Sequence, residues 1–197
     1  MTAALLVIDV QNDFCPGGAL AVADGDSVVP LINAMIPAFE TVLYTQDWHP
    51  ADHRSFADNH PGTAPFSSID MAYGPQVLWP SHCVAGTQGA AFHPELLLRG
   101  DLILRKGFRA EIDSYSAFYE NDQRTKTGLA GYLRDRGISD LTLVGLATDF
   151  CVAWSALDAR REGFGATVRL DACRAIDLDG SLDRALAEMA GAGVTLT

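Results

Sequence analysis

The sequence predicts an α/β fold in one domain: a six-stranded, mostly parallel sheet with helices on both faces. Three observations carry this. Short apolar runs alternate along the chain with segments of helical spacing, the pattern of βαβ units. The runs are continuously apolar rather than alternating, as expected of strands covered on both faces. The 197 residues suit one ordinary domain and not two, and no repeat or linker-like composition shift divides them.

Taken in order, Ala3–Val10 reads as a buried strand carrying Asp9 at its end. Asp26–Phe39 has helical spacing, with Pro30 and Pro37 limiting or bending its ends. Thr41–Thr45 is the second strand and Asp101–Arg105 the third. Thr127–Arg136 is helical, and Gly137 just beyond it is placed to cap it. Leu141–Leu146 is a strand, Phe150–Glu162 a helix and Ala166–Leu170 a strand. Ser181–Ala190 is helical, and Val194–Leu196 is a short last strand. One segment breaks this rhythm. Gln46–Phe92 is rich in Pro, Gly and His and weakly periodic, and a loop that long in a compact domain is usually functional. The expected organisation is therefore one domain over 1–197 with a loop insertion at about 46–92.

Charge excludes several classes. Acids outnumber bases 25 to 14, a formal charge of −11, so the basic patch that nucleic acid or an anionic membrane requires is missing. No apolar run approaches the roughly 20 residues of a membrane helix. No Lys or Arg precedes Arg54, and the apolar run Ala3–Ile8 is too short for a signal-peptide core, so a cytoplasmic protein is expected. Cys15, Cys83, Cys151 and Cys173 form no CxxC pair and read as thiols in a reducing compartment. GxGxxG, GxxxxGK[ST] and GxSxG are all absent, leaving dinucleotide, P-loop and serine-hydrolase readings without support.

In an open α/β sheet, ligands bind beyond the carboxyl ends of the strands. That rule brings Asp9, Asp47, Lys106 and Cys151 to one rim. Cys151, in Gly145-Leu-Ala-Thr-Asp-Phe-Cys151-Val, falls at a strand–turn–helix junction. The first turn of a helix favours a thiolate, and its free amides can hold an oxyanion. Asp9 can take the thiol proton, while Lys106, one of two lysines beside Lys126, can lower the thiol's pKa and orient the carboxylate.

All five histidines lie between 49 and 93. In an extended Asp47-Trp-His49, period two puts the carboxylate and imidazole on one side, and His82 can add a third ligand. Such a set suits one divalent ion, Zn, Fe or Mn. Cys83 points the other way if that stretch is extended. Phe14, Trp48, Trp79 and Tyr115 are aromatics near this rim, able to wall a flat substrate.

Seven stretches, in order over nearly the whole chain, resemble the nicotinamidase/pyrazinamidase group of the isochorismatase-like cysteine hydrolases. They are Val7–Phe14, Thr45–Pro50, His53–Phe56, Trp79–Val84, Lys106-Gly107, Asp113–Phe118 and Gly145–Val152. The resemblance implies a three-layer, Rossmann-like six-stranded parallel sheet and an Asp9–Lys106–Cys151 triad. It implies an oxyanion site made by the amides of Ala147 and Cys151, with a cis Leu146–Ala147 peptide. It implies one divalent ion on Asp47, His49 and His82, contacting the ring nitrogen of the substrate; His53 matches a ligand of some relatives only. Phe14, Leu20 and Trp79 match positions lining the ring, with Tyr115 and Leu146 placed on the same wall. Phe150 stands where the family often has Tyr or His.

The implied activity is hydrolysis of nicotinamide to nicotinate and ammonia, and of pyrazinamide to pyrazinoate, feeding NAD salvage. Two alternatives stay open. One keeps the fold and nucleophile for another small amide, a ureido compound or isochorismate. The other is non-catalytic: a metal-dependent binding or storage protein, or an interaction module. A small-molecule partner is expected; the oligomeric state, monomer or homo-oligomer, is left open by the sequence.

Overall fold

The computed structural model describes residues 2–99 and 101–197. Its strands are β1 (Thr2–Ile8), β2 (Thr41–Asp47), β3 (Ser68–Met71), β4 (Gly74–Val77), β5 (Leu102–Lys106), β6 (Ile138–Leu146), β7 (Gly165–Arg174) and β8 (Thr195–Leu196). Its α-helices are α1 (Val28–Met35), α2 (Leu129–Asp135), α3 (Ala153–Arg161) and α4 (Ser181–Gly191). Six strands form one sheet in the order β5-β2-β1-β6-β7-β8, every neighbouring pair parallel.

β1 shows why the strands read as continuous apolar runs. Leu5 and Val7 point into a core shared with Val28, Val29 and Ile32 of α1. Ala4, Leu6 and Ile8 point into the opposite core, shared with Leu133 of α2, Ala156 and Ala159 of α3 and Met189 of α4. Period-two alternation therefore divides the strand between two apolar layers, and no polar face remains to be seen in the sequence.

The elements differ from expectation where local geometry intervenes. The helix expected over Asp26–Phe39 is α1 between two 3-10 turns, Gly25–Ser27 and Ile36–Ala38, with Pro37 in the second. Pro30 sits in the first turn of α1, where no amide is needed. β7 continues through Asp171–Arg174, past the polar break that ends its apolar run; its register against β6 shifts between Leu143 and Gly145. The helix expected to begin at Phe150 begins as a π-helical turn, Thr148–Val152, before α3.

The long segment 46–92 holds an antiparallel hairpin, β3–β4, absent from the sequence expectation. Four-residue strands, with Pro75 in the second, are too short and too weakly apolar to show as strands in the sequence. Elsewhere the segment is tied down by single bridges, His49 to Val84, Phe56 to Trp79 and Gln11 to Phe92. No helix among the described residues is long and apolar enough to cross a membrane.

Candidate active site

The parallel sheet delivers four chemistry-bearing residues to one rim. Asp47 is the last residue of β2 and Lys106 the last of β5, and the two are direct cross-strand partners. Asp9 follows β1, and Cys151 follows β6 after one turn. With the spatial order β5-β2-β1-β6, Lys106, Asp47, Asp9 and Cys151 stand in that sequence along the edge.

Lys106 is the hub and is almost fully buried. Its Nζ forms a close ion pair with Asp47 Oδ1 and lies 2.8 Å from Asp9 Oδ2. It also donates to the Ser114 carbonyl at 3.0 Å and to Cys151 Sγ at 3.4 Å. Burial opposes its charge, but the carboxylates of Asp47 and Asp9 outweigh it and hold the ammonium well above its ordinary range. Asp9 has φ 48°, in the left-handed region, and Thr45 braces it. The Asp9 amide donates to Thr45 Oγ1 (3.2 Å), whose hydroxyl donates to Asp9 Oδ1 (2.7 Å). Burial raises the Asp9 carboxyl to about 6, against the lowering pull of Lys106.

Cys151 corrects one expectation. It lies in a π-helical turn rather than in the first turn of an α-helix, and its thiol is pushed well above its usual range. Burial is the main cause, and Asp9 and Asp47 add to it; Lys106 opposes them. The resting group is a thiol and not the thiolate expected from a helix start. Cys151 Sγ, an Asp9 oxygen and an Asp47 oxygen all lie within 4.8 Å of one another. The Leu146–Ala147 peptide is cis. Gly145 precedes it because β6 passes so close to β1 that a Cβ there would stand on the Ile8 backbone. The Phe150 and Val152 amides both return to the Ala147 carbonyl, at 3.2 and 3.1 Å.

A second set adjoins the first: donor atoms of Asp47, His49 and His82 lie within 4.8 Å of one another, all buried. His82 donates from Nδ1 to the Pro80 carbonyl (2.8 Å), leaving Nε2 as a lone pair 3.9 Å from Asp47 Oδ2. Burial and the neighbouring His49 lower its pKa to about 4, so the ring is neutral at physiological pH. His49 Nε2 meets Asp113 Oδ1 at 3.1 Å, and its Nδ1 is buried without a protein partner. Burial opposes a charge on His49, but Asp113 and Asp47 raise its pKa overall. Two imidazoles and a carboxylate at this spacing, each imidazole keeping one nitrogen free of a competing bond, fit a divalent cation. His53 lies outside this set. It packs edge-on against His49 at 4.5 Å, and its Nδ1 is engaged with Ser55 Oγ at 2.7 Å.

A narrow cleft opens over the two sets. Phe14, Leu20, Trp79, Tyr115 and Ala147 line it, with Asp47, His49, His82 and Cys151 below. Two expected wall residues do not take part. Leu146 is fully buried in the core beside Gly25, because its side chain falls on the inner face of β6. Trp48 is stacked under the Arg105 guanidinium at 3.8 Å, on the other side of β2 from the ligand cluster. The cleft also holds Phe150, which the family resemblance marks as a variable position of the wall, and Ile176 and Asp113, to which the sequence assigns no role. Phe150 packs T-shaped on Trp79 at 4.9 Å, Ile176 comes from the loop after β7, and Asp113 holds His49. The family motif around Cys151 is the signal for Phe150; Asp113 stands in the Asp113–Phe118 stretch, 64 residues from the histidine it binds.

Residues 3–197 match the family described as Isochorismatase domain. A curated nicotinamidase of Acinetobacter baylyi is 58% identical over 192 residues, covering 97% of this chain and 90% of its own length. Among solved structures, a nicotinamidase/pyrazinamidase of Acinetobacter baumanii superposes with TM-score 0.98 at 57% identity, covering 99% of this chain and 95% of that one. PnC1 from L. infantum, in complex with nicotinate, gives 0.87 at 39% identity, with 100% and 92% covered. The pyrazinamidase of Pyrococcus horikoshii, in complex with zinc, gives 0.81 at 34%, with 100% and 99% covered.

Proposed function

The chain belongs to the isochorismatase family, and from that premise we propose that it hydrolyses nicotinamide to nicotinate and ammonia, with Asp9, Lys106 and Cys151 as its catalytic residues. The observation that carries this is the buried junction at Lys106 Nζ, where base, nucleophile and candidate metal ligand meet beneath an aromatic slot.

Above about pH 6, Asp9 is a carboxylate next to a protonated thiol, the state needed for general-base activation. Asp9 takes the Cys151 proton as Sγ forms a bond to the carboxamide carbon. The oxyanion so formed is received by the amides of Ala147 and Cys151. Asp9 returns the proton to nitrogen, the C–N bond breaks, and ammonia leaves a thioester. Asp9 then takes a proton from water, the hydroxide adds to the thioester carbon, and collapse breaks the C–S bond. The product departs, its carboxyl proton lost to solvent to give nicotinate, and the thiolate recovers its proton from Asp9. Lys106 keeps the base and nucleophile in register and balances the charge of two buried carboxylates.

The loop insertion at 46–92, with Asp47, His49 and His82, is the part we assign to a divalent ion of the zinc, iron or manganese class. When bound, that ion supplies a Lewis-acidic anchor for the ring nitrogen of the substrate. Phe14, Leu20, Trp79 and Tyr115 enclose the ring, and Phe150 and Ile176 complete the wall. Asp47 and Asp113 both face the slot, which favours a neutral amide over a dianion such as isochorismate. Pyrazinamide shares the neutral ring amide and is proposed as a second substrate. Four free thiols agree with a reducing, cytoplasmic setting.

Ammonia release from nicotinamide, in wild type and Cys151→Ala, with and without chelator, tests this. The expected result is turnover by metal-loaded wild type alone, with zinc content unchanged in the variant. Turnover by Cys151→Ala contradicts the mechanism.

A further inference from the structure

We propose that Gln76, backed by Asn121, is a positioning residue of this site: together they fix which nitrogen of His49 carries the proton and which is left for the divalent ion. The proposal rests on the reading of Asp47, His49 and His82 as ligands.

The relay starts from a group with one possible direction. The Tyr115 backbone N–H is a donor only, and it meets Asn121 Oδ1 at 3.0 Å. The other end of that amide is therefore NH2, which donates to Gln76 Oε1 at 3.1 Å. The Tyr73 hydroxyl donates to the same oxygen at 3.0 Å. With Oε1 engaged on that side, Gln76 presents Nε2 to the other. There it lies 3.1 Å from Asp113 Oδ2, 2.8 Å from the Tyr115 hydroxyl and 2.7 Å from the Val77 carbonyl, which share its two hydrogens.

Asp113 thereby receives N–H groups on both oxygens, since Ser114 N–H donates to Oδ1 at 2.8 Å. A carboxylate so held accepts the remaining bond from His49 Nε2–H at 3.1 Å. The proton belongs on Nε2, and Nδ1, buried without a partner, keeps its lone pair. Each orientation follows from the one before it, back to a backbone amide whose direction is fixed.

The same glutamine braces the slot. Trp79 Nε1–H donates to the Tyr115 hydroxyl oxygen at 3.0 Å, the atom that Gln76 Nε2 also meets. Gln76 is 2% exposed and sits on β4, in the hairpin outside the main sheet. Two of its contacts, from the Tyr73 hydroxyl and to the Val77 carbonyl, stay within the hairpin, and the other three leave it for Asp113, Tyr115 and Asn121. The arrangement makes sense as support for the ligand and the aromatic wall.

Two variants separate this from general packing. Gln76→Met keeps the shape and removes the hydrogen bonds. Asn121→Asp keeps the acceptor for Tyr115 N–H but replaces the NH2 that faces Gln76 with an oxygen. Gln76 then turns its own NH2 toward position 121 and away from Asp113, with no residue near the ligands altered. Zn(II) affinity is read by competition with a chromophoric chelator, and the His49 Nε2–H is followed by 15N NMR of the zinc-loaded protein. Each variant is expected to weaken Zn(II) binding about 10–100-fold. Each is also expected to speed exchange of the Nε2 proton and to raise KM more than it lowers kcat. Either folded variant binding Zn(II) as wild type does, with the Nε2 proton unchanged, overturns the proposal. Wild type failing to bind Zn(II), Fe(II) or Mn(II) overturns the metal reading itself, a separate outcome.

Discussion

Alanine in place of Gly107 is a sharp probe of the ligand cluster, because it changes one carbon directly against a candidate ligand. A Cβ at 107 would stand 2.6 Å from His49 Nε2, 2.9 Å from Cδ2 and 3.1 Å from Cε1. Imidazole atoms cannot accept such contacts, so the ring must turn or shift, and its 3.1 Å bond to Asp113 goes with it. The backbone contributes a separate cost: Gly107 has φ 68°, and a residue with Cβ there loses about 1–2 kcal/mol. Gly137 provides the matched control. Its φ is 66°, and nothing lies within 4 Å of an added Cβ. Gly137→Ala therefore carries the backbone penalty alone, a drop in Tm of about 2–8 °C for a domain of this size. Gly107→Ala carries that penalty plus displacement of His49. In calorimetry, both variants are expected to lose stability, Gly107→Ala at least as much as Gly137→Ala. In zinc titration only Gly107→Ala is expected to lose affinity, by about 10–100-fold. A Gly107→Ala protein that binds zinc like Gly137→Ala would refute the assignment of His49 as a ligand.

The acid limb of kcat/KM is expected near pH 6, because Asp9, raised to about 6 mainly by burial, must be ionised to accept the thiol proton. Thr45→Val removes the hydroxyl that donates to Asp9 and should move that limb upward; a limb that stays in place would argue against Asp9 as the base. Far from the site, Glu162 is held at about 2, from its ordinary 4.5, by the Tyr119 hydroxyl, Arg134 and Lys126. Its stabilisation is fully present above pH 4.5 and is lost as pH falls toward 2. With half-exposed Arg134 and Lys126 as partners, Glu162→Gln should cost about 1 kcal/mol at neutral pH. In chemical denaturation the gap between variant and wild type should close on acidification; a constant gap contradicts the linkage.

Strand-end chemistry was legible in the sequence because a parallel sheet has a simple rule for its rim. Once the apolar runs are strands, Asp9, Asp47 and Lys106 must fall at one edge, and Asp47 and Lys106 prove to be ladder partners. What depends on facing was not legible. β1 and β6 are buried on both sides, so nothing in their composition says that Leu146 turns into the core rather than into the cleft. Trp48 neighbours both Asp47 and His49, yet alternation sends its ring to Arg105. Long-range partners were equally hidden: Asp113 reaches His49, and Gln76 reaches Asp113, across 64 and 37 positions. The protonation of Cys151 required knowing that the thiol is buried between two carboxylates and an ammonium, where desolvation outweighs Lys106.

Rapid acid quench of wild type with nicotinamide, followed by mass analysis of the peptide carrying Cys151, looks for the covalent intermediate itself. A nicotinoyl thioester is expected on Cys151, appearing and decaying with turnover, and none on Cys15, Cys83 or Cys173. Steady ammonia release with Cys151 unmodified at every time point would contradict that expectation.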